Sequence, residues 1–247
     1  MADLSGKTVL LTGALGSLGR AQSQAIVAAG ASLVLLDRPG HADAAAFVAS
    51  LGPRARWLGQ DLNDLAGTRA AAEALAAETG GIDILINNAA LIINRPFESF
   101  SIAEYEDQIR VNSSAAFVLA QAAAPGMKAK GYGKIVNFCS ITLIGRWDGY
   151  VPYVASKGAM LGLTKTLSRE LGPHGIRVNA VSPGAVVSEA EARVYGDRLQ
   201  QYNDWILENQ AVKARIEPRH IADLVLFLIS PASDMISGQN IAIDGGW

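Results

Sequence analysis

Cysteine is nearly absent: Cys139 is the only one in 247 residues. A single thiol closes no internal disulfide and builds no cysteine-rich metal site, and it fits a reducing compartment. Histidine is equally scarce. His41, His174 and His220 stand apart without ligand spacing, and no His-Glu-x-x-His run occurs, so no metal site is expected. Charged residues make up 18% of the chain, below the usual ~25%. The net charge of −2 offers no basic field to nucleic acid or an anionic membrane. Long apolar runs are missing too. The opening residues lack the apolar core of a signal peptide. The run at 224–229 falls far short of the ~20 residues that span a bilayer. The expectation is a soluble, cytoplasmic chain without membrane or nucleic-acid partners.

What is abundant is apolar: hydrophobic residues are 50% of the chain. At roughly 100–200 residues per domain, and with no linker rich in Pro, Ser or charge, residues 1–247 read as a single domain with a large core. Short β-branched or Leu-rich runs at 8–11, 32–36, 55–58, 84–86, 134–138, 177–181 and 240–243 alternate with Ala-rich helical patterns at 18–29, 42–51, 65–79, 102–129, 153–171 and 221–230. The strand candidates lack a clean period of two, which suits strands covered on both faces. Gly30, Gly52, Gly80 and Gly172 each follow a helical run, where a left-handed cap is wanted. The pattern predicts an α/β fold of Rossmann type: a doubly wound, parallel, seven-stranded sheet with helices on both faces. Residues 186–218 interrupt the rhythm, with many charges and aromatics. An insertion after the carboxyl end of a parallel strand is a natural substrate-binding segment.

Two constellations carry chemistry. The first is Thr12-Gly13-Ala14-Leu15-Gly16-Ser17-Leu18-Gly19, between the first strand and the first helix. Glycines there permit a sharp turn, and the helix N-terminus offers free N–H groups to a pyrophosphate. Asp37 closes the second strand, where a carboxylate accepts from both ribose hydroxyls and repels a 2′-phosphate. This favours NAD over NADP, although Arg38 follows directly and would soften the preference. The second constellation is Ser140 at a strand end with Tyr153 and Lys157 on one face of the next helix. A phenol with an ordinary pKa of ~10 is a poor base at neutral pH, and a lysine cation with an oxidised nicotinamide would favour its ionised form. Cys139, in an apolar strand, reads as a small core residue.

These stretches, together with Asp61-Leu62, Asn87-Asn88-Ala89, Asn112, Asn179, Pro183-Gly184 and Asp244-Gly245-Gly246, resemble the short-chain dehydrogenase/reductase family over essentially the whole chain. The resemblance implies that Tyr153 is the general acid/base and that Lys157 lowers its pKa and holds the nicotinamide ribose. It implies that Ser140 orients the substrate oxygen and that Asn112 supports a proton relay to Lys157. It further implies that Gly13, Ser17, Leu18 and Gly19 cradle the phosphates, that Asp61, Leu62 and Asn88 flank the adenosine, and that Pro183, Gly184, Val186 and Ser188 wrap the nicotinamide. Two departures from the family pattern stand out. Ser17 occupies the middle glycine position of the cradle, with Gly16 one place early, and Ala90 replaces a usual glycine. The resemblance also implies a homotetramer.

The substrate is read from the segments expected to wall the pocket: Asn94, Arg95, Arg146, Trp147, Asp148, Tyr150, Glu189, Glu191 and Arg193. This is a polar set, and buried polar groups without partners cost ~1–3 kcal/mol each. It suits a small polyhydroxylated or anionic substrate, with Trp147 free to stack on a sugar ring. The leading expectation is therefore NAD-dependent oxidation of a sugar, polyol or sugar acid. The alternatives are a carbonyl reductase acting on an apolar or acyl-carrier substrate, and a catalytically silent dinucleotide sensor. A sensor would have no need of the acid/base set.

Overall fold

The computed structural model describes residues 2–247. Seven strands form one sheet: β1 (Thr8–Thr12), β2 (Ser32–Asp37), β3 (Ala55–Gly59), β4 (Ile84–Asn87), β5 (Gly133–Phe138), β6 (Ile176–Pro183) and β7 (Asn240–Ile243). All pairings are parallel, in the order β3-β2-β1-β4-β5-β6-β7. The absence of a period of two has its reason here. Val9 and Leu11 point into one apolar layer and Leu10 into the other, and all three are fully buried. Alternate residues serve opposite faces, so a strand covered on both sides is apolar throughout.

The first layer holds α1 (Ser17–Ala28), α2 (Ala44–Ser50) and α9 (Pro218–Ile229), packed through Ile26, Phe47, Val225 and Leu228. The second holds α3 (Leu65–Thr79), α5 (Ala115–Lys130) and the end of α6 (Val151–Leu171), through Leu75, Leu119, Met127 and Leu171. Each such side chain contributes about 1.5–3 kcal/mol on burial. No helix among the described residues is long and apolar enough to cross a membrane.

Three sequence expectations need correction. The helix read over 102–129 is broken: α4 (Ile102–Ile109) passes into α5 through a π-helical turn, Arg110–Ser114. The apolar pattern runs through unbroken, but the wider turn changes which side chains face inward. Gly172 does not cap α6 in the left-handed region, for its φ is −53°. A short 3-10 turn follows, and Gly175 takes the left-handed conformation at φ 74°. A Cβ at Gly175 would lie 2.1 Å from the Gly131 carbonyl oxygen. Finally, residues 186–218 are more regular than an irregular insertion: they contain α7 (Glu189–Tyr195) and α8 (Leu199–Asn209).

The chain winds outward in both directions from β1 and β4, which lie side by side. A cleft opens where strand order reverses, above the carboxyl ends of those strands.

Candidate active site

The cleft is a cavity of about 810 Å³. It runs from Asp37 and Asp61, past Gly13, Leu15 and Ser17, to Ser140, Tyr153 and Lys157, and on to α7 and Tyr202.

The β1–α1 turn explains its own glycines. Gly13 has φ 63°, and a Cβ there would sit 2.7 Å from Ala89 Cα, in the loop after β4. A Cβ at Gly19 would lie 2.2 Å from the Gly13 carbonyl oxygen, a backbone atom that cannot step aside. Gly16 is different: its φ is negative and its nearest neighbour would be 3.6 Å away. The turn therefore closes on Gly13 and Gly19, and Ser17 simply opens α1. No side chain among the described residues caps α1, so its first N–H groups face the cleft. Asn88 ties the two central strands together, donating to Thr12 O at 2.9 Å and Gly13 O at 3.1 Å and accepting from Gln22 at 3.0 Å. The Thr12 hydroxyl accepts the N–H groups of Asn88 and Ala89. The Asp37 carboxylate accepts from Leu15 N at 2.9 Å and Arg38 N at 2.8 Å, which locks it against the turn with lone pairs left for a ligand. Asp61 and Leu62 line the same end. A cavity of this length, with free N–H groups at its middle and a fixed carboxylate at one end, fits an extended dinucleotide.

At the other end, Ser140 follows β5 and caps the turn Ile141–Leu143. Its Oγ accepts the Thr142 N–H at 3.2 Å and the Thr142 hydroxyl at 2.9 Å, leaving its own hydrogen to donate outward. Tyr153 and Lys157 lie one turn apart on α6 and are buried. Lys157 Nζ donates to Phe138 O at 2.7 Å and stands 5.4 Å from the centre of the Tyr153 ring. Burial pushes the Tyr153 phenol up to about 12, with the Ser140 hydroxyl pulling it back down. Burial pushes Lys157 down to about 8. Burial is the largest cause for both groups, and the hydroxyl that lowers the tyrosine here is that of Ser140. Cys139, buried beside them, has its thiol pushed up to about 11 by the same effect, which keeps it unreactive.

Asn112 sits in the π-helical turn. Its side chain accepts from Leu91 N at 2.6 Å and donates to Leu91 O at 3.0 Å and Ser156 Oγ at 2.9 Å. It thereby fixes the loop after β4 against α6.

Pro183 at the end of β6 and Gly184, Val186 and Ser188 after it line the cavity. Val186 forms a lone parallel bridge with Ile216, through Val187 N donating to Ile216 O at 2.9 Å. The Ser188 hydroxyl caps α7 by accepting from Glu191 N at 3.2 Å. Ser17 meets this segment directly, its Oγ accepting from Glu189 N at 3.2 Å.

The expected substrate wall divides. Trp147, Tyr150, Glu189, Glu191 and Arg193 line the cavity. Asn94, Arg95 and Arg146 do not, and Asp148 is exposed. The Asn94 amide donates to Asp148 O at 2.8 Å, Arg95 pairs with Glu104 and covers the Phe100 ring, and Arg146 is exposed. Each neighbours the cavity in sequence, but local partners hold Asn94 and Arg95 elsewhere and Arg146 stands in solvent. The sequence reading missed Thr142, Tyr195 and Tyr202, and the tryptophans behind Trp147. One face of Trp147 stacks on Trp247 with centres 4.6 Å apart, and its edge meets Trp205 at 5.8 Å. Tyr195 stacks on Tyr202 at 3.6 Å. The aromatics noted in 186–218 were the available signal.

This combination of sheet, cleft and serine–tyrosine–lysine set defines a dinucleotide-linked oxidoreductase. Comparison with known proteins agrees. Residues 13–247 match the family described as Enoyl-(Acyl carrier protein) reductase. Gluconate 5-dehydrogenase of Gluconobacter oxydans (strain 621H) is 32% identical over 246 residues, covering 99% of this chain and 95% of the relative. D-threitol dehydrogenase of Mycolicibacterium smegmatis (strain ATCC 700084 / mc(2)155) is 35% identical over 248 residues, covering 99% and 94%. A solved structure from Beutenbergia cavernae superposes with a TM-score of 0.93 at 32% identity, covering 99% of this chain and 98% of that one. It holds NADP at low occupancy and carries a provisional NAD(P)-dependent gluconate 5-dehydrogenase name. The chain belongs to the short-chain dehydrogenase/reductase family and is an oxidoreductase acting on CH–OH groups.

Proposed function

We propose that this enzyme oxidises a secondary alcohol or hemiacetal hydroxyl of a sugar, polyol or sugar acid, with NAD as its preferred carrier and Tyr153 as general base. The observation that carries this reading is the convergence of Ser140, Tyr153 and Lys157 on one cavity whose wall also holds Tyr150, Tyr195 and Glu191. Such a wall hydrogen-bonds hydroxyl groups. The names of the gluconate and threitol relatives support the same substrate type. The family description favours an acyl-carrier substrate as a second reading, but a buried carboxylate in the wall suits an apolar chain poorly.

Bound in the cleft, the dinucleotide supplies the acceptor for the substrate hydride. Gly13, Ser17, Leu18 and Gly19 hold its phosphates, and Asp37 its adenosine ribose. Asp61, Leu62 and Asn88 border the adenosine, and Pro183, Gly184, Val186 and Ser188 the nicotinamide. Ser140 donates its free hydrogen to the substrate oxygen and keeps it in line with Tyr153, which takes the hydroxyl proton. Lys157, when charged, favours the ionised phenol, and Asn112 positions the relay that returns the proton to solvent. Asp37 supports NAD, while Arg38 and His41 beside it leave room for NADP. The single buried cysteine supports a cytoplasmic setting, and we assign the chain as one domain that works as a homotetramer on a small molecule, with 186–218 as its substrate segment.

The test follows the near-ultraviolet absorbance of the reduced dinucleotide, with NAD or NADP, across sugars, sugar acids, polyols and simple secondary alcohols. The expected result is turnover of a sugar-type substrate, faster with NAD. Turnover confined to apolar alcohols or acyl thioesters overturns the substrate reading, and turnover with NADP alone overturns the carrier.

A further inference from the structure

Glu191 is a carboxylate in an unusual place. It lies on α7 with its side chain only 9% exposed, and it lines the cavity. Its partner is Arg215, whose side chain is 14% exposed and which also donates to Ala185 O at 3.2 Å. Arg215 stays outside the cavity wall, with its guanidinium 5.9 Å from the centre of the Tyr202 ring. Both guanidinium contacts are therefore internal, and Glu191 stands between the cation and the ligand space. Around Glu191 the cavity carries two phenols, Tyr150 and Tyr195, with hydroxyls 3.5 Å apart. Burial pushes both up, away from ionisation. The other buried cation in the wall, Lys157, is committed to Phe138 O beside the Tyr153 ring. Arg193 is exposed at the mouth, one turn beyond the exposed acid Glu189, where water screens it. Among the described residues the interior thus offers donors and acceptors for hydroxyl groups, and the only unpaired cation at the substrate end of the lining is the exposed Arg193.

We propose that Glu191 is a specificity-determining residue that selects neutral sugars and polyols and excludes sugar acids. The proposal rests on the sugar-type reading above and decides between two chemistries that it leaves open. A carboxylate accepts hydrogen bonds from two neighbouring hydroxyls of a polyol. A substrate carboxylate in the same space meets like charge across a poorly screened wall, a repulsive element built into the site. Burial raises the Glu191 carboxyl and Arg215 lowers it. Protonated, the residue still presents no cation, so in either state an acid substrate is left only the exposed, water-screened Arg193 as an ionic partner.

The experiment measures kcat/KM on matched neutral and acid partners, xylose and galactose against xylonate and galactonate, and threitol against threonate. The wild type is expected to favour the neutral member by about tenfold or more, the scale of one hydrogen bond to a charged group. Glu191→Gln keeps the shape and an oxygen for Arg215. It is expected to lower kcat/KM for neutral substrates and raise it for acids, with dinucleotide affinity unchanged. Glu191→Asp keeps the charge and is expected to retain the exclusion of acids, which a purely structural role would not require. If Glu191→Gln does not fold, Arg215→Met tests the same point: without its cation the buried Glu191 carboxyl is pushed toward its neutral form, so the exclusion of acids must weaken. A wild type that prefers acids, or a neutral-to-acid ratio that Glu191→Gln leaves unmoved, overturns the proposal while the sugar-type reading stands. Oxidation of neither class overturns that reading and the proposal with it.

Discussion

The two ends of the cleft are built from different materials. The dinucleotide end is made of backbone: a turn closed by Gly13 and Gly19, uncapped N–H groups of α1, strand ends at Thr12 and Asp37, and Asn88 stitching β4 to β1. The substrate end is made of side chains that meet from distant segments: Trp147 and Tyr150 before α6, Glu191 and Tyr195 on α7, Tyr202 and Trp205 on α8, and Trp247. A backbone site has few sequence solutions, because a Cβ at Gly19 collides with peptide atoms whatever the side chain. A side-chain site has many, because aromatic rings of similar size fill the same wall. The first end stays constant in chemistry, and the second is free to choose the substrate.

The sharpest way to test that division is Tyr153→Phe, which removes the reacting hydroxyl and leaves the backbone end whole. Turnover is expected to fall by roughly 10²–10⁴, with dinucleotide affinity by fluorescence titration unchanged. The pH profile carries the same information. The tyrosine must lose a proton to act as base, and burial holds it at about 12, so its working form is the minor one at neutrality. The oxidation rate of the wild type therefore rises between pH of about 6 and about 9, whereas the residual rate of the variant does not follow that rise.

The next largest effect belongs to the turn. Gly19→Ala is expected to weaken dinucleotide binding by about 10²-fold, since the displaced backbone carries the phosphate N–H groups with it. Gly16→Ala is the control, with 3.6 Å to its nearest neighbour, and should bind as the wild type does in the same titration. Equal losses in both would break the claim that backbone overlap, rather than glycine content, defines this end.

Smallest is Trp205→Ala. It removes the ring behind the cavity wall that meets Trp147 edge-on and packs on Tyr202 and Trp247, while every lining residue stays in place. Steady-state kinetics should show KM for substrate rising by roughly two- to tenfold, the scale of an aromatic contact, and an unchanged KM for the dinucleotide. A change in the latter would mean that the two ends are coupled.

The same division explains what could be read from the sequence. All seven strands were legible, with ends shifted by at most two residues: inner strands such as β1 and β4 are buried on both faces and so apolar nearly throughout, while the edge strands β3 and β7 are only partly buried. The turn and the Ser140, Tyr153, Lys157 set were legible because their spacing is fixed by strand ends and one helix face. Trp147, Tyr150 and Glu191 were placed correctly in the wall, but Asn94, Arg95 and Arg146 were not. Proximity in sequence says where a Cα lies, while Asp148 O and Glu104 decide where Asn94 and Arg95 point. Tyr195 and Tyr202 were missed because their stacking depends on how α7 and α8 fold back over the cleft, a long-range event without local periodicity.

The π-helical turn Arg110–Ser114 behaves like a phase shifter set between two screws. An α-helix advances about 100° per residue, so one extra residue in a turn rotates everything beyond it by that amount. Upstream, α4 packs against α6; downstream, α5 packs against α3, and Asn112 is caught between with its amide on Leu91 and Ser156. This stretch therefore tolerates changes of identity and count very differently. Replacing exposed Arg110 leaves the phase untouched. Deleting any one of the four residues around Asn112 would restore a smooth α-helix, more regular than the original, yet turn Asn112 away from its partners and set α4 and α5 out of step. At this point in the chain the number of residues matters more than their names.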